Sequence, residues 1–276
     1  MEACDRKKLQ EKARDIRKMA IEAICGLGIG HIGGSMSIVE TLVILYYKFM
    51  KVDPQNPKMR DRDRLVMSKG HAGPALYATL ADKGFFPKEW MGTLNRGGTR
   101  LPSHCDMNLT PGIDMTTGSL GQGLSAAVGM AIASRMDRLP GRIYAILGDG
   151  ECNEGQVWEA AQAAAHFKLS TITAFVDYNK MGLDGWLHDV MDISDITAKW
   201  VSFEWYVQRV DGHDYDALER AILNTHTETR RPSMIVLDTI KGKDCTFAEG
   251  RVDSHHMKCT VEQGREAIAR LDRMIY

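Results

Sequence analysis

Residues 143–185 read IYAILGDGECNEGQVWEAAQAAAHFKLSTITAFVDYNKMGLDG. The apolar run Tyr144, Ala145, Ile146, Leu147 stops at Gly148-Asp149-Gly150. A short apolar run closed by glycines is the pattern of a strand buried on both faces. From Glu154 to Lys168 the chain is rich in helix formers, with neither Gly nor Pro after Gly155. A second run, Thr171 to Val176, is β-branched and aromatic and ends at Asp177-Tyr178-Asn179. Strand, helix and strand make a βαβ unit, so the strands are parallel and the turns after them share one edge of the sheet. Open α/β sheets bind ligands at that edge. Asp149 and Asn179 are therefore expected close together, although thirty positions separate them.

The same pattern recurs upstream. Leu65-Val66-Met67 stops at Ser68-Lys69-Gly70-His71-Ala72-Gly73, and a helix is expected from Ala75 to Lys83. This places His71 on the same edge, beside Asp149. Within residues 5–27, Leu9, Ala13, Ile16, Met19, Ala20, Ala23, Ile24 and Leu27 fall at helical spacing. That helix runs into Gly26, Gly28 and Gly30, then His31. Ser35 or Ser37 is expected to cap a further helix through Leu42, Leu45 and Phe49. Asn95 to Gly123 shows little periodicity, and a loop of that length is expected to be an ordered part of the active site. It presents His104 and leads into a small-residue helix, Leu124 to Arg135, expected to pack closely on the sheet or on another chain. Downstream come a helix from near Ser194, a strand Tyr206 to Val210, a helix from Tyr215 to about Thr225 and a strand Met234 to Ile240. A loop with His255 and His256 precedes a last helix, Val261 to Met274. The alternation indicates one α/β domain over residues 1–276, with a mostly parallel sheet flanked by helices on both faces.

Bulk properties exclude several classes. A net charge of −1 favours neither nucleic acid nor an acidic membrane surface. No apolar run approaches the roughly 18 residues of a membrane span. The polar N-terminus is unlike a secretory signal. Six cysteines at 4, 25, 105, 152, 245 and 259 form no CxxC pair, which suggests reduced thiols in a cytoplasm. Cys152 in the acidic turn reads as a small filler residue.

An Asp carboxylate, an Asn amide oxygen and loop carbonyls form an oxygen-ligand set. Such sets suit hard cations such as Mg²⁺ or Ca²⁺, and Mg²⁺ usually shares its shell with phosphate oxygens. Gly150 lets backbone approach a phosphate, and the following helix N-terminus favours an anion. There is no GxxxxGK[ST] sequence, which argues against a P-loop nucleotide hydrolase. Gly26-Leu27-Gly28-Ile29-Gly30 follows a helix, so it is not a dinucleotide fingerprint. His31, His71, His104 and the pair His255/His256 each lie in a loop beside Gly or Ser. Neutral imidazole can move protons near neutral pH and can hydrogen-bond an oxyanion. No HxxxH or CxxC supplies a rigid zinc pair.

Four stretches together resemble a known family. They are Gly30-His31 with Gly33, the run DRLVMSKGHA at 63–72, TTGSLGQG at 116–123, and Gly148-Asp149-Gly150 followed by Asn179. In this order they are similar to the N-terminal, diphosphate-binding half of transketolase, a thiamine diphosphate enzyme, over nearly the whole chain. The resemblance implies a divalent metal, Mg²⁺ or Ca²⁺, held by Asp149, Asn179 and the backbone oxygen of Met181. It implies that Gly150 and Asn179 touch the diphosphate, and that His71, Gly118, Ser119 and Leu120 contact the cofactor. His31, His104 and His255 would face the substrate as catalytic groups. His255 would also touch the cofactor, with His256 as the alternative. Glu154 is similar to a cofactor-site glutamate at the contact between subunits; on its own it reads as an acid at a helix N-terminus.

The implied activity is transfer of a two-carbon ketol unit from a ketose to an aldose, as sugars or sugar phosphates, in carbohydrate metabolism of the pentose phosphate type. In the family, the glutamate that activates the cofactor's aminopyrimidine lies in a second domain that is not present in this sequence. The expectation is an N-terminal subunit that is inactive alone and works with a separate C-terminal, pyrimidine-binding subunit. The expected assembly holds two copies of each, a cytoplasmic heterotetramer. Three alternatives stay open: part of a deoxyxylulose phosphate synthase-like enzyme, a split transketolase for an unusual sulfonated or branched sugar, and a catalytically dead scaffold subunit.

Overall fold

The computed structural model describes residues 1–274. The chain begins with α1 (Ala3–Leu27), the short strand β1 (Ile29–Gly30), α2 (Gly33–Met36) and α3 (Val39–Ile44). Then come β2 (Arg64–Met67), α4 (Gly73–Lys83), α5 (Gln122–Met136), β3 (Ile143–Gly148), α6 (Gly155–His166) and β4 (Ile172–Tyr178). The rest is α7 (Leu187–Val190), α8 (Ile196–Ser202), β5 (Tyr206–Asp211), α9 (Tyr215–Thr227), β6 (Ser233–Asp238), β7 (Met257–Lys258) and α10 (Val261–Asp272). Five strands form one parallel sheet in the order β2-β3-β4-β6-β5. This is the expected α/β architecture, and its centre is the β3–α6–β4 unit.

The apolar runs of the central strands are continuous because both faces are covered. Tyr144, Ile146, Phe175, Ile235 and Leu237 join a core with residues of α1, α3, α4, α9 and α10. Their neighbours Ile143, Ala145, Leu147, Ala174, Val176 and Val236 join the opposite core, with α5, α6 and α8. Period-two alternation sends successive side chains to opposite faces. The small-residue helix α5 packs on β2, β3, β4 and α6. Its entry is so close that a Cβ on Gly123 would lie 2.3 Å from Ser68 Oγ.

Three details differ from the reading of the sequence. The helix expected through Leu42 to Phe49 is broken into α2, α3 and a π-helical turn at Leu45–Phe49. Neither Ser35 nor Ser37 caps it, because buried acceptors claim both hydroxyls. Ser35 Oγ donates to the His31 carbonyl at 2.7 Å, and Ser37 Oγ donates to Asp177 Oδ2 at 2.6 Å. The strand expected to reach Ile240 ends at Asp238, and a turn at residues 241–244 follows. The two-residue pair β1–β7, joining Ile29 to Lys258 and Gly30 to Met257, has too little sequence to carry a pattern. All six cysteines are free, five of them buried. Among the described residues no helix is long and apolar enough to cross a membrane.

Candidate active site

Parallel strands deliver their following turns to one edge, and here four turns meet. The turns after β2, β3, β4 and β6 line a cleft of about 240 Å³. It is bordered by Lys69 and His71, by Asp149 and Gly150, by Asn179 and Met181, and by Lys241, with Leu120 and His255 closing the sides.

Asp149 is buried, with 2% of its surface exposed. Its Oδ1 accepts from the Gly150 amide at 2.8 Å, and its Oδ2 accepts from the Lys180 amide. That second bond ties the turn after β3 to the turn after β4. Asn179 Oδ1 accepts from the Met181 amide at 3.1 Å, and its Nδ2 donates to Asp177 Oδ2 at 3.0 Å. Burial, then the nearby charge of Asp177, push the Asp149 carboxyl up to about 7. Burial also works against the charge of Asp177, but Lys69 outweighs it and holds that carboxyl below its ordinary range. Lys69 is itself 1% exposed, pairs with Asp177, and donates to the Gly34 carbonyl at 2.7 Å.

The histidines converge as expected. The His31 ring lies 5.4 Å from His71, 5.5 Å from His104, 5.7 Å from His255 and 4.4 Å from His256. His71 and His255 are 4.8 Å apart. Burial lowers His31 to about 4, helped by His256 and His104. Burial and then Lys241 lower His255 to about 3. Burial and then Lys69 push His71 well below its usual value. These rings are therefore neutral at physiological pH, able both to donate a hydrogen bond and to accept a proton. His255 lines the same cleft as Asp149, whereas His256 borders a smaller one with His31, Asn95 and Ser103.

Not every residue singled out lies in the cleft. Leu120 does, while Gly118 packs under the His104 ring, where a Cβ would meet it at 3.4 Å. Gly118 and Ser119 are outside the lining. Glu154 is exposed at the N-cap of α6, beside Gly121. Cys152 Sγ donates to the Gly148 carbonyl at 3.4 Å and fills space.

Three further residues belong to the site. Glu151 is 2% exposed and accepts from Ser68 Oγ, from the Gly121 amide at 2.9 Å and from the Gly148 amide at 3.0 Å. One carboxylate thus ties together the turns after β2 and β3 and the start of α5. Lys69 and Lys241 are the other two. Lys241 is 2% exposed, and its Nζ donates to the carbonyls of Met181 at 3.0 Å and Gly182 at 2.8 Å. Burial lowers its ammonium to about 8. In the sequence the available signals were an acid directly after the glycine turn and two lysines flanking glycines.

The donor set fits a hard cation beside an anion. The Asp149 carboxylate, the Asn179 amide oxygen and the Met181 carbonyl are all oxygens, and a Lys ammonium already sits on that carbonyl. Among the described residues no three His, Cys, Asp or Glu side chains converge as a metal site.

Residues 8–270 match the transketolase thiamine diphosphate-binding domain. The chain belongs to the transketolase family. It is 55% identical over 265 residues to the 6-deoxy-6-sulfo-D-fructose transketolase subunit SqwG of Clostridium sp. strain MSTE9, covering 96% of each chain. It is 37% identical to an apulose-4-phosphate transketolase subunit of Phocaeicola vulgatus, covering 97% of this chain and 95% of that one. Among solved structures, transketolase from Leishmania mexicana matches with a TM-score of 0.88 and 30% identity, over 95% of this chain and 40% of that chain. Transketolase from Campylobacter jejuni matches with a TM-score of 0.89 and 28% identity, over 96% and 42%. These relatives are of two kinds: subunits of about this chain's length, and chains of which it spans about two fifths.

Proposed function

We propose that this chain is the diphosphate-binding subunit of a two-subunit transketolase. It transfers a two-carbon ketol unit from a ketose donor to an aldose acceptor, and its donor is a C6-sulfonated ketose of the 6-deoxy-6-sulfo-D-fructose type. The observation that carries the reading is the meeting of Asp149, Asn179 and the Met181 carbonyl with His31, His71, His104 and His255 at one sheet edge. The sulfonated donor rests on the name of the 55% identical relative.

Asp149, Asn179 and the Met181 carbonyl would hold Mg²⁺ or Ca²⁺, and Gly150, Asn179 and Lys241 would face the diphosphate. Asp149 would meet the cation as a carboxylate. Thiamine diphosphate supplies, when bound, the carbanion-stabilising ring that no side chain provides. His71 and Leu120 would support that group from the cleft, Gly118 and Ser119 from behind it, and Glu154 would contribute from the contact between subunits. The neutral imidazoles of His31, His104 and His255 hydrogen-bond the sugar oxygens and pass protons to and from them. The neighbouring rings raise the cost of charging any one imidazole, so a proton taken at this site is readily returned.

The pyrimidine-binding half comes from a separate C-terminal subunit, with two copies of each chain in the assembly. The test is ketol transfer by the purified chain mixed with that subunit, using 6-deoxy-6-sulfo-D-fructose and fructose 6-phosphate as donors. The expected result is turnover with the sulfonated donor, dependent on thiamine diphosphate and a divalent cation. Equal or better turnover of the phosphate donor would contradict the donor assignment.

A further inference from the structure

We propose that His213 is a positioning residue for the cation-and-diphosphate end of the cleft. It holds the segment 239–242 so that Lys241 and Thr239 meet Met181 and Asp177. The inference rests on reading the cleft as a thiamine diphosphate site. His213 lies between β5 and α9 and does not line the cleft.

The direction of its hydrogen bonds is set by chemistry. The Ile240 amide lies 3.0 Å from His213 Nε2, and an amide N–H can only donate. Nε2 is therefore an acceptor and carries no proton. The ring proton sits on Nδ1, which donates to Glu40 Oε2 at 3.2 Å. Glu40 is anchored in turn by Arg17, whose NH2 reaches Oε1 at 2.7 Å and Oε2 at 2.8 Å. Arg17 is 1% exposed and Glu40 is 6% exposed, so this pair is a fixed base.

The same Arg17 grips the far side of the turn, where its Nε donates to the Lys243 carbonyl at 3.3 Å. The turn is thus held at Ile240 through His213 and at Lys243 through Arg17. Between those two points Lys241 sends its ammonium to the Met181 and Gly182 carbonyls. Just before them Thr239 donates its hydroxyl to Asp177. The His213 turn is also seated directly on the end of β6: a Cβ on Gly212 would lie 2.6 Å from Thr239 Cγ2. A chain of bonds, buried at the Arg17–Glu40 pair and exposed at the Ile240 amide, therefore runs from α1 and α3 through one imidazole to the backbone that carries Lys241.

Two substitutions separate this role from general packing. Gln at 213 places an amide oxygen where Nε2 stood and still accepts from Ile240. Asn is shorter, so it can keep a bond to Glu40 but cannot reach Ile240. Thiamine diphosphate with Mg²⁺ is titrated into the full chain assembled with its C-terminal subunit, and binding is followed by calorimetry. His213→Asn should weaken the apparent affinity about tenfold, the scale of one lost hydrogen bond. His213→Gln should stay within about twofold of wild type on the same scale. In a Lys241→Met background, His213→Asn should add little further loss, because the residue it positions is gone. Equal affinities of the Asn and Gln variants, or a full additional loss in the Lys241→Met background, overturns the proposal. Failure of the wild-type assembly to bind thiamine diphosphate at all would instead remove the site reading on which it rests.

Discussion

Asp149 is an acid kept where an acid is costly. Its carboxyl in the folded chain is raised to about 7 from an ordinary 3.8, by burial and by Asp177. A carboxyl raised on folding contributes stability below its unfolded value, and that contribution is lost as pH rises through the folded value. At pH 8 the free chain therefore holds a buried charge that the Gly150 and Lys180 amides and Lys69 relieve only in part. Asp149→Asn should raise the melting temperature of the cofactor-free chain at pH 8 but not at pH 4, while abolishing binding of thiamine diphosphate with Mg²⁺. A lower melting temperature for the variant at pH 8 would contradict this account. Cation binding should also release a proton, so affinity should increase from pH 6 to pH 8. Calorimetry in two buffers of different ionisation enthalpy measures that proton directly. At this scale Asp149, Asn179 and the histidines were legible, because a glycine turn after an apolar run places them on the edge. Lys69, Glu151 and Lys241 were not. A charged residue beside a glycine reads as solvated, and only the meeting of separate turns buries these three.

The elements themselves were legible where hydrophobic periodicity is long. β3, α6 and β4 appear within a residue or two of their expected positions. The pattern failed where side chains have tertiary partners. Ser35 and Ser37 look like helix caps, but His31 and Asp177 take their hydroxyls, and the helix breaks after Met36. The place of β6 between β4 and β5 is also invisible in a run of residues, since strand order is decided by how crossovers pack. Helix α5 offers a paired test of close packing. A Cβ on Gly123 would come within 2.6 Å of the Ser68 backbone, whereas one on Gly129 would meet nothing within 4 Å. Gly123→Ala should destabilise the chain by about 1–3 kcal/mol through overpacking. Gly129→Ala should stabilise it by about 0.5–1 kcal/mol, because Ala replaces Gly in a helix interior. Urea unfolding of both variants checks the signs, and equal effects would mean that α5 does not sit on β2 as described.

At the scale of the whole molecule, the proposed function leaves half of the reaction centre to another chain. Around the cleft mouth, Leu183 and Met191 are each 61% exposed and Val190 is 53% exposed. On the proposed function, these exposed apolar side chains beside the cleft are where the C-terminal subunit is expected to pack. Leu183→Glu with Met191→Glu should weaken assembly with the C-terminal subunit. The melting temperature of the free chain should stay within a degree or two, because neither side chain is buried. Sedimentation of the mixed subunits reads the first effect. Unchanged assembly would place the partner elsewhere. The family was legible from its motifs, but the proposed donor was not, since nothing in the sequence marks a sulfonate. The central claim is that this chain supplies the cation and diphosphate half of a transketolase and needs another chain for the rest. The most direct measurement is ketol transfer by the chain alone, by the mixed subunits, and by the mixture carrying Asp149→Ala. The account predicts activity only in the unmodified mixture; a normal rate from the single chain, or from the Asp149→Ala mixture, would contradict it.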